Sequence, residues 1–193
     1  IKSPDDVVSG KSYYIKGVYT SSGTETACYY APTDDEGKFT GNAATDISGA
    51  LPIKFTQVEG GWTLTTPNGY YVRPHTSNGQ SYLVEDEVVL QLESGKTKEG
   101  EGKGIKIGPY TSGGNDWYLQ CNTSNPKIGG YKTTSNQWDV TLIECGDAVS
   151  SAATFAETNP SIDFPATSTY SQEVTTAAGY TGTVSYEITA NTA

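Results

Sequence analysis

The sequence predicts an all-β chain, an antiparallel β-barrel followed by a shorter strand-bearing unit. Three observations carry that expectation. The apolar surface is concentrated in aromatic and β-branched side chains, with 14 tyrosines and 22 glycines beside an absence of methionine, and these are residues that fit a pleated, half-buried surface. Apolar residues alternate with polar ones in short runs bounded by Gly, Asn, Pro and Ser, which is strand and turn chemistry. No window of ten or more residues repeats apolar positions at helical spacing, so few or no helices are expected.

In chain order, the first strands are expected at Ser12 to Val18 and Thr26 to Tyr30. Next come Pro52 to Val58, Gly61 to Thr65, Tyr70 to Arg73, Ser81 to Val84 and Val88 to Glu93. Pro67-Asn68-Gly69 separates two of these runs, and Asn-Gly is expected to supply the positive φ angles of a tight hairpin turn. Ser94 to Lys103 is rich in Gly, Lys and Glu without apolar anchors, which reads as an exposed hairpin loop. Gly104 to Ile107, Trp117 to Asn122, Lys127 to Lys132 and Trp138 to Glu144 complete the first set.

Short strands at such close spacing suggest a barrel or sandwich. Ile53-Lys54-Phe55 followed by Tyr70-Tyr71-Val72 resembles Ile105-Lys106-Ile107 followed by Trp117-Tyr118-Leu119. With Tyr14 as a first member, three aromatic strands at roughly even spacing suit a β-trefoil-like barrel, and their unequal separation leaves a generic antiparallel barrel as the alternative.

After Cys145 the composition changes. Gly146 to Ser151 is small and polar and reads as a linker, so residues 1–147 are expected to form the barrel module and residues 148–193 a second unit. There, Ala153 to Phe155, Ser161 to Phe164, Ser171 to Val174 and Val184 to Ile188 alternate as half-buried strands do. A unit of this size is too small to hold a core unaided. Its strand faces need cover, and strand exchange with another copy through residues 152–193 is one way to supply it.

Charge excludes some partners. Twelve Lys+Arg against 22 Asp+Glu leave a net charge of -10, which repels a phosphate backbone and anionic lipid alike, so no nucleic acid is expected. No apolar run reaches the roughly 20 residues that span a bilayer, so no membrane insertion is expected either. No leader or initiator methionine precedes Ile1, which reads as a processed or trimmed chain. Cys28, Cys121 and Cys145 fit no metal-ligand spacing and allow at most one bridge. All three are expected as buried, reduced strand residues, as free cysteine usually packs.

No constellation for catalysis is evident, and no cofactor or metal is expected. His75 is the only imidazole, and no nucleophile and orienting group stand beside it in the manner of a triad. Asp86 with Glu87, and Asp34-Asp35-Glu36, sit in polar surroundings as solvated turns. The latter run lacks the alternating ligand spacing of a calcium loop. Among the aromatics, Trp62, Trp117 and Trp138 lie in strand contexts where filling the core is the usual role. Trp117 follows the polar turn Gly113-Gly114-Asn115-Asp116, so its indole could stack on a sugar ring while neighbours hydrogen-bond hydroxyls. Asn115, Asp116, Trp117, Asn122 and Tyr131 are therefore the candidate ligand-binding residues.

Two runs carry a family resemblance. Tyr170-Ser171-Gln172-Glu173-Val174-Thr175-Thr176-Ala177-Ala178-Gly179-Tyr180 continuing through Thr183-Val184-Ser185-Tyr186-Glu187-Ile188 resembles the first half of bacterial immunoglobulin-like (Big) domains from secreted proteins of gut Bacteroidota. Asn115 to Asn122 with Gln137 to Ile143 resembles the close of an uncharacterised all-β module that precedes such repeats in surface proteins and in some extracellular nucleases, covering about residues 5 to 145. The resemblance implies a partial Ig-like β-sandwich segment at the end. It also implies an exported, modular, non-catalytic protein, secreted or on the outer cell surface. Glycan is the expected ligand, with a ligand-free structural spacer and a glycosidase as alternatives.

Overall fold

The computed structural model describes residues 1–75, 77–132 and 136–145, together with the short strands Thr154–Phe155 and Val174–Thr175. The chain divides into two compact units, Ile1–Cys145 and Gly146–Ala193.

The first unit is all-β and antiparallel. Its strands are β1 (Ser12–Ser21), β2 (Thr24–Tyr29), β3 (Gly37–Phe39), β4 (Ile53–Val58), β5 (Gly61–Thr65), β6 (Tyr71–Pro74), β7 (Ser81–Val84), β8 (Val89–Thr97), β9 (Gly100–Ser112), β10 (Asn115–Cys121), β11 (Ile128–Lys132) and β12 (Thr141–Glu144). Two single 3₁₀ turns, Pro4–Asp6 and Ile47–Gly49, are the only helical segments among the described residues.

Strand alternation sets the core. Along β1, Tyr13, Ile15 and Gly17 face inward while Tyr14 and Lys16 are half-exposed, the period-2 pattern of a strand with one buried face. Ile53 and Phe55 of β4, Leu64 of β5, Leu90 of β8, Ile105 and Ile107 of β9 and Leu142 of β12 are buried in the same cluster. The Tyr13 ring meets Phe55 edge-on, with centroids 5.3 Å apart.

The longest run of paired strands follows the order β11-β10-β9-β8-β5-β4-β1-β12. The expected closed barrel is not formed as a continuous ladder. The free end at β12 is joined back to the sheet by isolated bridges from the residues before it, Val140 to Ile105 and Trp138 to Cys121, and by the hydrogen bonds of Asp139 with Lys96. The reason is local: β12 is four residues long, all four paired with β1 from Tyr13 opposite Glu144 to Lys16 opposite Thr141, and among the described residues no second strand continues the ladder along its other edge.

The strands β2, β6 and β10 each pair back on the strand before them, β1, β5 and β9 respectively. At their centres Cys28, Val72 and Leu119 are fully buried. The loops beyond these strands meet through single bridges, Asn42 with Lys127 and Gln80 with Gly130. Glycine is required at that meeting point. A Cβ on Gly130 would stand 2.5 Å from the His75 nitrogen, and one on Gly129 would stand 2.5 Å from the Gly79 carbonyl carbon.

Two local expectations need correction. The turn at residues 66–69 is closed by the Gly69 N–H donating to the Thr66 carbonyl at 2.9 Å. Only Gly69 has positive φ, at 90°, whereas Asn68 is spent on Asp34, donating its backbone N–H to Oδ2 at 3.1 Å and its side-chain amide to the Asp34 carbonyl at 2.9 Å. The stretch 94–103 is not a loop. It is the outer half of a β8–β9 ribbon whose ladder continues past a bulge to Thr97 opposite Gly100. Its polarity reflects solvent around a two-stranded arm, not loss of pairing.

In the second unit, Thr154 pairs with Thr175 and Phe155 with Val174 in an antiparallel bridge. The linker expected at 146–151 and the strands expected at 161–164 and 184–188 lie outside the described residues.

Candidate binding cavity

Of the five residues singled out in sequence, Asn115, Asp116 and Trp117 open β10 and Asn122 follows its last residue, while Tyr131, on β11 opposite Tyr118, reaches the Asn122 end through its hydroxyl. Seven strand steps of about 3.3 Å separate Asn115 from Asn122, roughly 23 Å in all, so the two groups cannot grip one small ligand. At one end, the Asn115 amide donates to the Gly113 carbonyl at 3.0 Å, and Asp116 Oδ1 accepts from the Thr111 hydroxyl at 2.6 Å. These side chains hold the β9–β10 turn. Trp117 is only 3% exposed, with the Lys132 ammonium 5.4 Å from its ring centroid, so its indole does not present an open stacking face. Its Nε1 is buried with no hydrogen-bond partner among the described residues.

At the other end, Asn122 donates to the Tyr131 hydroxyl at 3.4 Å, and its Oδ1 accepts the backbone N–H groups of Ser124 and Asn125 at 2.9 and 3.0 Å. Its acceptor is therefore spent on a turn. Tyr131 is 4% exposed, and burial pushes its phenol above the ordinary value. The structure thus brings Asn122 and Tyr131 together as packing and turn residues.

The remaining residues weighed in sequence are scattered. The His75 ring lies against Tyr82 with centroids 4.5 Å apart. Burial, with the nearby charges of Lys38 and Arg73, holds its pKa below the usual imidazole value. Asp86 and Glu87 are exposed. Among the described residues, no group of three or more His, Cys, Asp or Glu side chains stands together as metal ligands would. No helix among them is long and apolar enough to cross a membrane.

A cavity of about 170 Å³ forms elsewhere, where the tip of the β8–β9 ribbon overhangs β1, β2 and the segment leading into β12. Lys16 and Val18 of β1 line it, and Trp138 and Thr141 stand across from them. The ribbon tip contributes Thr97, Lys98 and Glu99, with Lys2 and Glu25 completing the rim. Ion pairs tie the rim together: Lys98 to Glu25 at 2.5 Å and Lys2 to Glu99 at 2.5 Å. Hydrogen bonding and charge from Lys2 hold the Glu99 carboxyl below the ordinary carboxylate range.

Asp139 fixes the base of the ribbon against this wall. It is 7% exposed. Its Oδ2 accepts the Lys96 N–H at 2.7 Å, and its Oδ1 accepts the Gln120 amide at 2.8 Å. A buried carboxylate is tolerated because both oxygens are satisfied. Gly95 permits the approach, since a Cβ there would stand 2.7 Å from the Asp139 Cβ.

Of these residues, the sequence reading had weighed only Trp138, as a core filler; it is half-buried at the cavity wall. It also passed over Arg73, whose guanidinium lies 4.8 Å from the Tyr82 ring centroid and 5.3 Å from that of Tyr110. The cavity has no local motif, because the strands that assemble it are far apart in the chain.

Comparison with models of known protein families, with curated proteins and with solved structures finds no match to this chain.

Proposed function

We propose that the first unit is a non-catalytic binding module that takes a single carbohydrate ring in the Trp138 cavity, as part of a secreted or cell-surface multidomain protein. The observation that carries this reading is the pairing of one half-buried indole with a charge-balanced polar wall, Lys2, Lys16 and Lys98 against Glu25, Glu99 and Asp139. A sugar offers an apolar face and hydroxyls that both donate and accept. An indole face, ammonium donors and carboxylate acceptors answer those three demands. A net-neutral wall favours an uncharged ligand over an anion. The volume of 170 Å³ lies below the roughly 300–1,000 Å³ of sites for drug-sized molecules, which favours one terminal ring over an extended chain.

Two features support the absence of catalysis. A glycosidase needs one carboxylic acid whose pKa is raised so that it can donate a proton. Glu99 is shifted the opposite way by Lys2, and Glu25 is tied to Lys98.

The finer architecture belongs to the same proposal. We read β1, β4, β5, β8, β9 and β12 as the wall of a β-trefoil-like module, with β2 and β3, β6 and β7, and β10 and β11 as its three caps, of which only the last two are hydrogen-bonded pairs. The bridge between Ile105 and Val140 and the recurrent buried residues Cys28, Val72 and Leu119 support it. The second unit is read as the partial Ig-like segment that the resemblance implies, one that can exchange strands with another copy.

A ligand-free spacer is the second reading, favoured by one observation: the rim lysines and glutamates already satisfy one another. A glycan array followed by calorimetry separates the two. Binding is expected to fall at least tenfold in Trp138→Ala and to persist in Trp62→Ala, whose half-buried ring lies on β5 outside the cavity. Absence of any retained glycan, or equal retention by Trp138→Ala, sinks the binding reading.

A further inference from the structure

Cys28 and Cys121 lie 93 positions apart in the chain, yet their sulfurs approach to 3.6 Å in the buried interior. Cys28 sits on β2 and Cys121 on β10, strands that do not pair with each other. What brings them together is β1 between them. Gly17 of β1 stands opposite Cys28 in the ladder. A Cβ at Gly17 would lie 2.4 Å from the Cys121 sulfur and 2.6 Å from its Cβ. The missing side chain opens the space through which the two thiols meet. Both cysteines are fully buried, while Cys145 is half-buried and stands at the end of β12.

We propose that Cys28 and Cys121 form a disulfide that joins the first and third caps through the core, leaving Cys145 as the odd thiol. All three cysteines are free thiols in the structure, as expected of reduced cysteines, with Cys145 half-buried where full burial was expected; the bridge is what an oxidising compartment would add. It stands on the geometry of the two thiols and not on the cavity or its ligand. The sulfurs need close only from 3.6 Å to the bond length of about 2.05 Å. Changes in the two side-chain torsions supply movement of that size.

The chemistry balances by thiol-disulfide exchange with a low-molecular-weight disulfide such as oxidised glutathione. One cysteine thiolate attacks a glutathione sulfur, forming a mixed disulfide and releasing one glutathione thiolate. The other cysteine thiolate then attacks the protein sulfur of that mixed disulfide and expels the second. Two protein thiols lose two protons and two electrons, and the glutathione disulfide takes them as two thiols. Both sulfurs are fully buried, out of reach of glutathione in the finished core, so exchange there is slow. The exchange belongs to folding, while the strands are still open.

The experiment is peptide mapping without reduction on the full chain, refolded from the reduced, unfolded state in a mixture of reduced and oxidised glutathione. The same mapping is done on chain purified from an oxidising compartment without ever being unfolded. The expected result is a single linked pair of peptides holding Cys28 and Cys121, with one free thiol remaining of the three. Cys145→Ser should keep the linkage, and the oxidised chain should unfold at higher urea than the same chain reduced. Three free thiols in both preparations, or a dominant bridge that includes Cys145, overturns the proposal.

Discussion

The hydrogen bond between Tyr30 and Ser81 gives the sharpest test of how the end of β2 is held to β7. Tyr30, just beyond β2, and Ser81, at the start of β7, are both fully buried, and their hydroxyl oxygens are 2.7 Å apart. Neither can turn to water when its partner is removed. Ser81→Ala strands the phenol hydroxyl, and Tyr30→Phe strands the serine hydroxyl. Each should cost about 1–3 kcal/mol, the desolvation penalty of a buried hydroxyl left unmade. The phenylalanine keeps the ring in place, because the edge-on contact with Phe39 at 5.7 Å does not involve the hydroxyl.

The double variant leaves no orphan. It should lose only the net worth of one hydrogen bond, about 1 kcal/mol, and so be less destabilised than the sum of the singles by about 1–5 kcal/mol. Urea unfolding of the four proteins, followed by tryptophan fluorescence and analysed at constant slope, measures that coupling. Single variants within about 0.5 kcal/mol of the parent, or strictly additive effects, would mean that water reaches the pair. The contact between the end of β2 and the start of β7 would then not be dry.

Two further outcomes follow from the same interior. Burial pushes the Tyr30 phenol above its ordinary value, so above about pH 10 the unfolded chain releases this proton while the folded chain retains it. The stability contributed is intact below the unfolded value and declines as pH rises past it. Tyr30→Phe should make the urea midpoint fall less steeply between about pH 9 and 11; parallel curves would show that the group titrates freely. Asp139→Ala removes the acceptor of the Lys96 N–H and the Gln120 amide. It should cost about 3 kcal/mol and speed hydrogen exchange at Lys96, while an unchanged exchange rate would show that the ribbon base is held by its ladder alone.

Strand positions were legible wherever one face is buried and the other wet. Ser81–Val84, where buried and half-buried residues alternate, stands where alternation placed it. The signal failed where that condition fails. Residues 117–121 of β10 are all buried, so alternation says nothing about which side chain faces a ligand, and the polar turn before Trp117 suggested an exposure that the indole does not have. On the β8–β9 ribbon the opposite holds, since solvent reaches much of both faces and pairing leaves no apolar imprint. The strand β3 has only three residues, too few to show a period.

Aromatic character did not mark the inward positions. Tyr14 drew notice because it is aromatic, yet it is half-exposed on β1, while the fully buried residues of β2, β6 and β10 include Cys28, Val72 and Leu119, which are not aromatic. The cavity was invisible for another reason. Its walls come from residues near 2, 16–25, 97–99 and 138–141, and only the pairing of β1 with β12 and the length of the ribbon bring them together.

The ribbon also explains why an occupied rim does not argue against a ligand. Its base is fixed by a buried carboxylate with two short hydrogen bonds, which remain strong because water does not compete there. Its tip is fixed by ion pairs whose side chains are 53% and 62% exposed for Lys2 and Glu99, and 39% and 59% for Lys98 and Glu25. Exposed pairs of this kind are screened by salt and hold little net energy. A sugar hydroxyl that replaces one contact of such a pair therefore displaces something weak, while the indole and the anchored base stay where they are. The arm keeps its wall fixed and its lip adjustable, a division that the proposed single-ring site would use.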